Sequence, residues 1–363
     1  MNDISFRALV VDDDADIVQY VRTVLERRAN CEVMTAPNPL VALDLVADFL
    51  PDVVVTDIEM PGMTGLDLIT RLRELRPELP VIVMTAHITL DYAMKALRNQ
   101  ANELLTKPIA SADLVAAVSR LAAEFRATNE LDQERQRASE VQRSLLPKQA
   151  LQVTGYDIAG GCSPARTVGG DFFDWYQQGD GVIFTLADVM GKGTGAAIIA
   201  SAVRAVLRSE SSENLAASVE AVAESLADDL EQAGSFFTLF HARLDPASGE
   251  VRYVDAGHGL TVVVRANGGM DRLATGSFPI GMGLELGWRE HRVRLAPGDT
   301  LVSVSDGVLE LFDGTLESLD HLEGIIRDSA TAQGIVDELE VLRGELPVDD
   351  VTAVVVRAAW TSA

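Results

Sequence analysis

Carboxylates, a lysine and a hydroxyl follow short apolar segments in the first third of the chain. They are Asp12, Asp13, Asp14, Asp57, Thr85 and Lys107. Carboxylate oxygens are the ligands that Mg²⁺ prefers in proteins. A metal ion and a lysine would neutralise the charge of an incoming phosphoryl group while one carboxylate attacks its phosphorus. These residue types therefore predict a pocket that accepts a phosphoryl group.

A second set of acidic residues lies further along the chain. Asp171 and Asp188 flank two apolar segments joined by the turn GDG, so a hairpin would bring them to the same end. Asp306 follows another apolar segment, and Asp349 with Asp350 precedes the segment VTAVVV. One aspartate at a strand end is a common turn residue, so the prediction depends on the whole set. Together they suit two divalent ions that share a carboxylate and acidify a water for in-line attack on phosphorus.

The first set must be positioned by a domain in which apolar segments alternate with amphipathic stretches. The apolar segments lie at 6–11, 32–35, 53–56, 81–84 and 103–106. This pattern predicts an α/β doubly wound parallel five-stranded domain over residues 1–118. Since the carboxyl ends of parallel strands share one edge of the sheet, the first set should meet there.

Residues 119–148 are rich in Arg, Glu, Gln and Ala, lack Gly and contain a single proline, Pro147. Apolar residues at helical spacing lead into this segment, at Leu114, Val118, Leu121 and Phe125. They occur again near its end, at Ala138, Val141 and Leu145. The spacing predicts a continuous linker helix. It either pairs with a second copy as a short dimerising coiled coil or connects the domains as a single solvated helix.

Residues 149–363 are dominated by strand signals. Predicted strands lie at 172–176, 182–186, 236–244, 250–256, 260–265, 300–304 and 351–356. Predicted helices lie at 194–208, 214–232 and about 319–344. Strands and helices in blocks predict an α+β domain, a layered β-sandwich flanked by helices.

Composition excludes several classes of function. The chain carries 55 acidic and 30 basic side chains, a net charge of −25, which disfavours nucleic-acid binding. No apolar segment reaches the ~18 residues of a membrane span, and the start MNDISFRALVVDDD does not resemble a signal peptide. Cys31 and Cys162 are the only cysteines, which excludes a disulfide framework. We expect a cytoplasmic protein that binds neither nucleic acid nor membrane.

The motifs VVDDD, TDIEMPGMTG, MTAH and TKP resemble the receiver domain of bacterial response regulators. The resemblance implies that Asp57 is the phospho-acceptor and that Asp12, Asp13 and Asp57 hold Mg²⁺. It also implies that Lys107 contacts the phosphoryl group and that Thr85 moves toward it. An upstream sensor histidine kinase is the partner that such a domain requires.

One position departs from the receiver pattern. Leu104 stands where the family usually has Tyr or Phe, three residues before Lys107. The aromatic switch is therefore absent, and we expect the signal to pass through the last receiver helix into residues 119–148. Asp14 is expected to cap the helix that begins at Ala15 rather than to bind metal.

The motifs PARTVGGDFFD, ADVMGKGTGAA, TLFHARLDPASGEVRYVDAGH, VSDGVLE and DDVTAVVV are similar to the metal-dependent PPM/PP2C phosphatases, in particular the SpoIIE/RsbU-type branch. The resemblance implies a protein serine/threonine phosphatase with two Mn²⁺ or Mg²⁺ ions. Asp188 would bridge the metals, and the backbone carbonyl of Val189 would complete one site. Asp306 and Asp349 would hold the other metal, with Asp171 beside the metals' waters.

Other conspicuous residues have a less specific interpretation. Asp350 falls where many relatives have Asn, so it is left out of the ligand set. His258 is expected to hold a turn, although DAGHG also resembles a catalytic motif. Arg166 either contacts substrate phosphate or lies in a solvated loop, and His87 either lines the receiver pocket or is exposed. Gly191, Lys192 and Gly193 do not form a P-loop.

Together these features predict a response regulator whose output is a metal-dependent phosphatase. In the relatives that it resembles, the substrate is typically a phosphorylated STAS-domain anti-sigma-factor antagonist, whose dephosphorylation shifts a partner switch. Phosphorylation of Asp57 is expected to change the pairing of the linker helices and so move the helices after Gly193 and Glu213. The alternative is a phosphorylation-gated adaptor that binds a sigma factor or its regulator without turnover. Retention of the acidic residues favours the enzyme.

Overall fold

The computed structural model describes residues 6–86, 99–210, 212–283, 287–346 and 348–359. The chain divides into two compact units, Met1–Glu134 and Arg135–Ala363. His87, the last residue of the MTAH motif, lies outside the described residues. None of the described helices is long and apolar enough to cross a membrane.

The first unit is built on a parallel five-stranded sheet with the strand order β2-β1-β3-β4-β5. Its strands are β1 (Phe6–Val11), β2 (Cys31–Ala36), β3 (Val53–Asp57), β4 (Val81–Thr85) and β5 (Glu103–Thr106). Its described helices are α1 (Ala15–Arg28), α2 (Pro39–Phe49), α3 (Gly65–Leu75) and the start of α4 (Ser111–Leu145). The predicted doubly wound parallel sheet is confirmed.

The apolar strands of this sheet are explained by burial on both faces. Ala8 and Val10 of β1 belong to one hydrophobic core, whereas Leu9 and Val11 belong to the other. Successive side chains of a strand point to opposite faces, so a strand covered by helices on both sides is apolar throughout.

The helix boundaries follow local sequence signals. The Asp14 side chain accepts hydrogen bonds from the backbone N–H groups of Asp16 and Ile17, which confirms its predicted role as the N-cap of α1. The helix α4, which contains the predicted linker, ends at Leu145, two residues before Pro147. A proline disfavours the helical conformation in the residue that precedes it.

The second unit contains two antiparallel sheets with the orders β14-β11-β10-β9-β8 and β13-β12-β15-β16-β7-β6. The strands are β6 (Leu151–Val153), β7 (Tyr156–Ser163), β8 (Asp171–Gln178), β9 (Gly181–Val189), β10 (Phe237–Asp245), β11 (Glu250–Ala256), β12 (Thr261–Val264), β13 (Met270–Arg272), β14 (His291–Arg294), β15 (Thr300–Val304) and β16 (Val351–Ala358). The described helices after α4 are α5 (Thr194–Ser209), α6 (Leu215–Ser225), α7 (Ala227–Ala233), α8 (Gly307–Glu310), α9 (Leu319–Asp328) and α10 (Ala332–Arg343).

The two sheets pack face to face and each carries helices on its outer face. Phe173 of the first sheet and Val354 of the second lie in the core between the sheets. Phe172 packs against residues of α5 and α6, and Val355 packs against residues of α9 and α10. This alternation confirms the predicted layered β-sandwich flanked by helices.

Two predicted helices are each divided in the structure, and four strands were not predicted. Residues 214–232 form α6 and α7, because Leu226 between them leaves the helical conformation with φ −109° and ψ 5°. Residues 319–344 form α9 and α10, because Thr331 caps α10 by accepting a hydrogen bond from the Gly334 N–H. The missed strands are β6, β7, β13 and β14, and all but β7 are edge strands of three or four residues, too short for a pattern to identify them.

Candidate functional site

The first predicted set comes together at the carboxyl edge of the parallel sheet. Carboxylate oxygens of Asp12, Asp13 and Asp57 all lie within 4.8 Å of one another. The Lys107 Nζ lies 2.8 Å from Asp12 Oδ2 and 3.0 Å from Asp57 Oδ1. Thr85, the last residue of β4, is 2% exposed. The edge therefore combines three carboxylates, an ammonium group and a hydroxyl.

The loop after β3 comes back against the backbone of Asp57 at Gly65, where there is room only for glycine. The Gly65 N–H donates to the Ile58 carbonyl at 2.9 Å. A Cβ at Gly65 would lie 1.9 Å from the Asp57 carbonyl oxygen. Glycine thus allows α3 to begin against the backbone of Asp57.

The charges in this pocket are incompletely balanced. Burial raises the pKa of Asp57 above its ordinary value, although hydrogen bonds from Lys107 oppose this effect. Burial alone would lower the pKa of Lys107, but its hydrogen bonds to Asp12 and Asp57 outweigh burial and raise it. Three clustered carboxylates around one ammonium group fit a divalent cation, because hard cations prefer oxygen ligands.

The hairpin of β8 and β9 brings Asp171 and Asp188 directly opposite each other. Its turn pairs Gln178 with Gly181, as the GDG motif predicts. Asp171 is 2% exposed, and its Oδ2 is buried. Burial and the neighbouring carboxylates of Asp188 and Asp350 raise the pKa of Asp171 well above its ordinary value. Hydrogen bonds from the side chains of Thr352 and Ser305 oppose this rise.

The other two predicted ligands contribute to the same negative region. Burial first, and then the charge of Asp306, raise the pKa of Asp188 to about 6. Burial and the charge of Asp349 raise the pKa of Asp306. The four carboxylates are more widely spaced than the receiver set, the only described group with three carboxylates within 4.8 Å.

Two features beside these carboxylates concern the backbone and a cation. A Cβ at Gly170 would lie 2.5 Å from the Val189 carbonyl oxygen, so glycine leaves this predicted ligand uncovered. The Lys192 Nζ lies 2.9 Å from Asp349 Oδ2. From the sequence, Lys192 was considered only as part of a P-loop, which was excluded, and its contact with Asp349 was missed. The only signal in the sequence was that Lys192 lies between two glycines.

Asp350, which the ligand set left out, holds the loop before Asp171. Its Oδ1 accepts a hydrogen bond from the Ala165 N–H at 2.7 Å, and its Oδ2 accepts one from the Gly170 N–H at 2.8 Å. A Cβ at Gly169 would lie 2.3 Å from Asp350 Oδ2, so the close approach requires glycine. Asp350 is therefore a positioning residue for this loop.

Gln142, near the end of α4, also forms hydrogen bonds with this loop, at Gly169. Its Nε2 donates to the Gly169 carbonyl at 2.7 Å, and its Oε1 accepts from the Gly169 N–H at 3.2 Å. Both hydrogen bonds lie within the second unit. Nothing in the sequence distinguishes Gln142 from the other polar residues of α4, so sequence reasoning missed it.

Replacing Gln142 by alanine should loosen the loop that carries Asp171. The loss of two hydrogen bonds, each worth ~0.5–1.5 kcal/mol, corresponds to roughly tenfold weaker Mn²⁺ binding if the loop must be ordered to bind metal. Calorimetric titration of Gln142→Ala with Mn²⁺ checks this. Gln133→Ala, on an exposed position of the same helix, is the matched control. Equal Mn²⁺ affinity in the two variants would contradict a positioning role.

His258 holds a turn, in agreement with its predicted role. Its backbone N–H donates to Asp255 Oδ1 at 2.9 Å, and its Nε2 lies 3.0 Å from Ser303 Oγ. Burial lowers the pKa of His258 to about 3. A second buried histidine, His241, pairs with Thr185 Oγ1 at 2.8 Å, and burial lowers its pKa to about 4. Arg166 is exposed.

The two buried histidines should destabilise the second unit in acid. In the unfolded chain each histidine has a pKa of ~6.5, whereas in the folded protein its pKa is lower. The unfolded state therefore binds the proton first, and the free energy of unfolding falls as the pH drops from ~6.5 toward the folded pKa. At pH 5 the loss is about 2 kcal/mol per histidine. The carboxylates with raised pKa values favour the folded state as the pH falls, which opposes the effect of the histidines. The pH dependence of unfolding must therefore be compared between the wild type and a histidine variant.

Urea unfolding in EDTA at pH 7 and pH 5 checks this expectation. All three tryptophans of the chain lie after residue 134, so their fluorescence reports the second unit. The difference in unfolding free energy between the wild type and His241→Gln should change by about 2 kcal/mol between these pH values. His321→Gln, at an exposed position, should show no such change. A pH-independent difference for His241→Gln would contradict the assignment.

Comparisons with known proteins agree with both halves of this description. Residues 8–119 match the response regulator receiver domain family. Residues 178–359 match the family described as Stage II sporulation protein E (SpoIIE). The DNA-binding transcriptional regulator NtrC of Escherichia coli (strain K12) is 43% identical over 114 residues, 31% of this chain and 24% of NtrC. The chain thus spans about a quarter of that relative, which matches only the receiver region.

Solved structures resemble the second unit. The SiaA-PP2C domain of Pseudomonas aeruginosa has a TM-score of 0.54 and 23% identity, over 64% of this chain and 98% of that chain. A structure of the RsbU and RsbW domains of a Mycobacterium tuberculosis protein has a TM-score of 0.50 and 26% identity, over 58% of this chain and 63% of that chain. The second unit therefore has the PP2C fold.

The SpoIIE match covers half of the chain and contains three of the four aspartates predicted to surround the metals, together with Val189. The fourth, Asp171, precedes the matched region but pairs with Asp188 inside it. This chain belongs to the Stage II sporulation protein E (SpoIIE) family and carries a response regulator receiver domain at its N-terminal end.

Proposed function

We propose that this protein is a response regulator whose output is a metal-dependent protein serine/threonine phosphatase. The observation that carries the proposal is the clustering of buried carboxylates: Asp171 faces Asp188 across a hairpin, and the neighbouring charge of Asp306 helps to raise the pKa of Asp188. Clustered carboxylates of this kind suit divalent cations, which the phosphatase chemistry of this family uses.

In the proposed phosphatase centre Asp188 would be a ligand of both metals, and the Val189 carbonyl would complete one site. Asp306 and Asp349 would hold the other metal. Two Mn²⁺ or Mg²⁺ ions, when bound, supply the Lewis acidity that acidifies water and neutralises the phosphoryl group. Asp171 would lie beside the metals' waters and help to orient the attacking water toward phosphorus.

In the proposed receiver reaction, Asp57 accepts a phosphoryl group from a phosphohistidine of an upstream sensor kinase. A carboxylate oxygen of Asp57 forms the new bond to phosphorus as the phosphorus–nitrogen bond of the phosphohistidine breaks. Asp12, Asp13 and Asp57 hold Mg²⁺, and Lys107 pairs with the transferred phosphoryl oxygens. Thr85 moves toward the phosphoryl group. The aromatic side chain that would follow this movement in many receivers is replaced here by Leu104.

The proposed division of the chain is a receiver domain at 1–118, a helical linker at 119–148 and a phosphatase domain at 149–363. Because α4 runs from Ser111 to Leu145 as one helix, it is the proposed route by which phosphorylation of Asp57 affects the phosphatase domain. Leu131, Val141 and Leu145 of α4 are 55%, 60% and 37% exposed, which supports pairing with a second copy in a homodimer.

The proposed substrate is a phosphorylated STAS-domain anti-sigma-factor antagonist in a partner-switching pathway. The proposal rests on the resemblance to the SpoIIE/RsbU-type branch, whose partners act in the cytoplasm. A second candidate function, a phosphorylation-gated adaptor without turnover, is disfavoured because the acidic set of the phosphatase centre is retained.

Hydrolysis of p-nitrophenyl phosphate by the full-length protein, with Mn²⁺ or with EDTA, tests the proposal. Turnover that depends on Mn²⁺ and changes when beryllofluoride is added to the receiver would support a regulated phosphatase. A phosphorylated STAS-domain protein and an unrelated phosphoprotein, compared as substrates, then test the substrate class. The absence of turnover under all metal and beryllofluoride conditions would leave the adaptor as the better explanation.

A further inference from the structure

A polar cavity of about 530 Å³ lies within the second unit, and none of the four phosphatase carboxylates lines it. Its walls come from α4, from the segment at 162–167 and from the end of α10. Each of these three walls supplies one arginine, Arg143, Arg166 and Arg343 respectively. The volume lies in the range of small-molecule sites, roughly 300–1,000 Å³.

The lining of this cavity is basic on a chain with a net charge of −25. Three guanidinium groups are opposed by one carboxylate, that of Glu340. Within the described part of the chain, no ion pair joins any of these three arginines to a carboxylate. The Ser139 hydroxyl, on a residue that is 4% exposed, also lines the cavity. Uncompensated guanidinium groups and a hydroxyl form a donor-rich site.

Arg343 is held at the wall of the cavity by a contact with the backbone. Its Nη2 donates to the Pro164 carbonyl at 2.9 Å. Its Nε is buried and has no hydrogen-bond partner among the described residues. The bond from Nη2 therefore fixes the Arg343 guanidinium beside Pro164, which also lines the cavity.

We propose that this cavity binds a phosphate-class oxyanion, held by Arg143, Arg166 and Arg343. Arginine presents donors in a planar fork that matches phosphate oxygens, and several arginines around one cavity are typical of phosphate recognition. The bound anion would link α4 and α10 to the segment that continues through Gly169 to Asp171. It is either free phosphate or the phosphorylated side chain of a protein substrate, which share this chemistry.

Binding is tested without turnover, on the full-length protein in EDTA, by calorimetric titration with inorganic phosphate and separately with O-phosphoserine. We expect binding that Arg143→Gln/Arg166→Gln weakens at least ~10-fold, because two of three charge-assisted contacts are lost. Both positions are exposed, so the fold should be kept. Arg289→Gln/Arg292→Gln, at two exposed positions of the same unit, is the control with equal loss of charge.

Tighter binding of O-phosphoserine, lost in the cavity variant alone, supports a phosphorylated side chain as the ligand. Tighter binding of inorganic phosphate, with the same loss, supports the free anion. No binding to the wild type, or equal weakening in the cavity and control variants, would overturn the proposal. Because the test needs neither metal nor catalysis, its failure is distinct from failure of the proposed phosphatase function.

Discussion

Asp188→Asn should abolish metal-dependent turnover while making the metal-free protein more stable. Changes in groups that merely orient metal ligands cost ~10–100-fold, so loss of the bridging carboxylate should lower kcat by more than ~100-fold. In the folded state, burial and nearby charges raise the pKa of Asp188 from its ordinary 3.8 to about 6. Above that pH the ionised side chain destabilises the fold, and neutral asparagine should recover about 1–3 kcal/mol.

The two halves of this prediction are measured separately. Hydrolysis of p-nitrophenyl phosphate with Mn²⁺ gives kcat, and urea unfolding at pH 8 in EDTA gives stability. Asp180→Asn is the matched control, since Asp180 is exposed in the turn at the opposite end of the same hairpin. A variant at Asp188 that retains turnover, or that is less stable than the wild type in EDTA, would show that Asp188 is not part of the proposed centre.

Asp57→Asn should remove phosphoryl acceptance completely and, with it, the response of the phosphatase to a phosphodonor. The amide lacks the nucleophilic oxygen that forms the acyl phosphate, although its size and shape are nearly unchanged. In the wild type we expect a phosphodonor to change the phosphatase rate by ~5-fold or more, the lower end of typical coupling between sites. The basal rate of Asp57→Asn should equal that of the wild type.

Incubation with acetyl phosphate and Mg²⁺, followed by a phosphate-affinity gel, measures phosphoryl acceptance. The phosphatase rate with and without acetyl phosphate measures the coupling. Asp48→Asn, at an exposed position of α2, is the control. Phosphoryl acceptance or an unchanged rate response in Asp57→Asn would contradict the assignment of Asp57 as acceptor and switch.

The route of coupling has two candidates that the Gln142 variant separates. Sequence reasoning placed the moving parts in the helices after Gly193 and Glu213. The contact between Gln142 and Gly169 instead links α4 to the loop before Asp171 without those helices. If this contact transmits the signal, Gln142→Ala will accept a phosphoryl group normally but lose the rate response. If the response persists in Gln142→Ala, the helical route is favoured.

The sequence by itself determined the fold of each half and the pairing of Asp171 with Asp188. The parallel sheet was predictable because strands buried on both faces have continuous apolar segments, such as Ala8–Val11 of β1 and Val53–Val55 of β3. The hairpin was predictable because a two-residue turn sets the register of its strands and leaves one arrangement for their ends. The grouping of Asp12, Asp57 and Lys107 followed from the geometry of a parallel sheet edge.

Only the tertiary structure decided which other residues support these sites. Gln142 and Gly169 are 27 residues apart, and Asp350 and Gly170 are 180 apart. Their hydrogen bonds depend on side-chain and backbone positions fixed by packing, which leave no periodic trace in the sequence. The breaks at Leu226 and Thr331 were missed because apolar spacing continues across them while the backbone leaves the helix. Local patterns record burial and turn geometry, whereas contacts between distant polar groups appear only once the chain is folded.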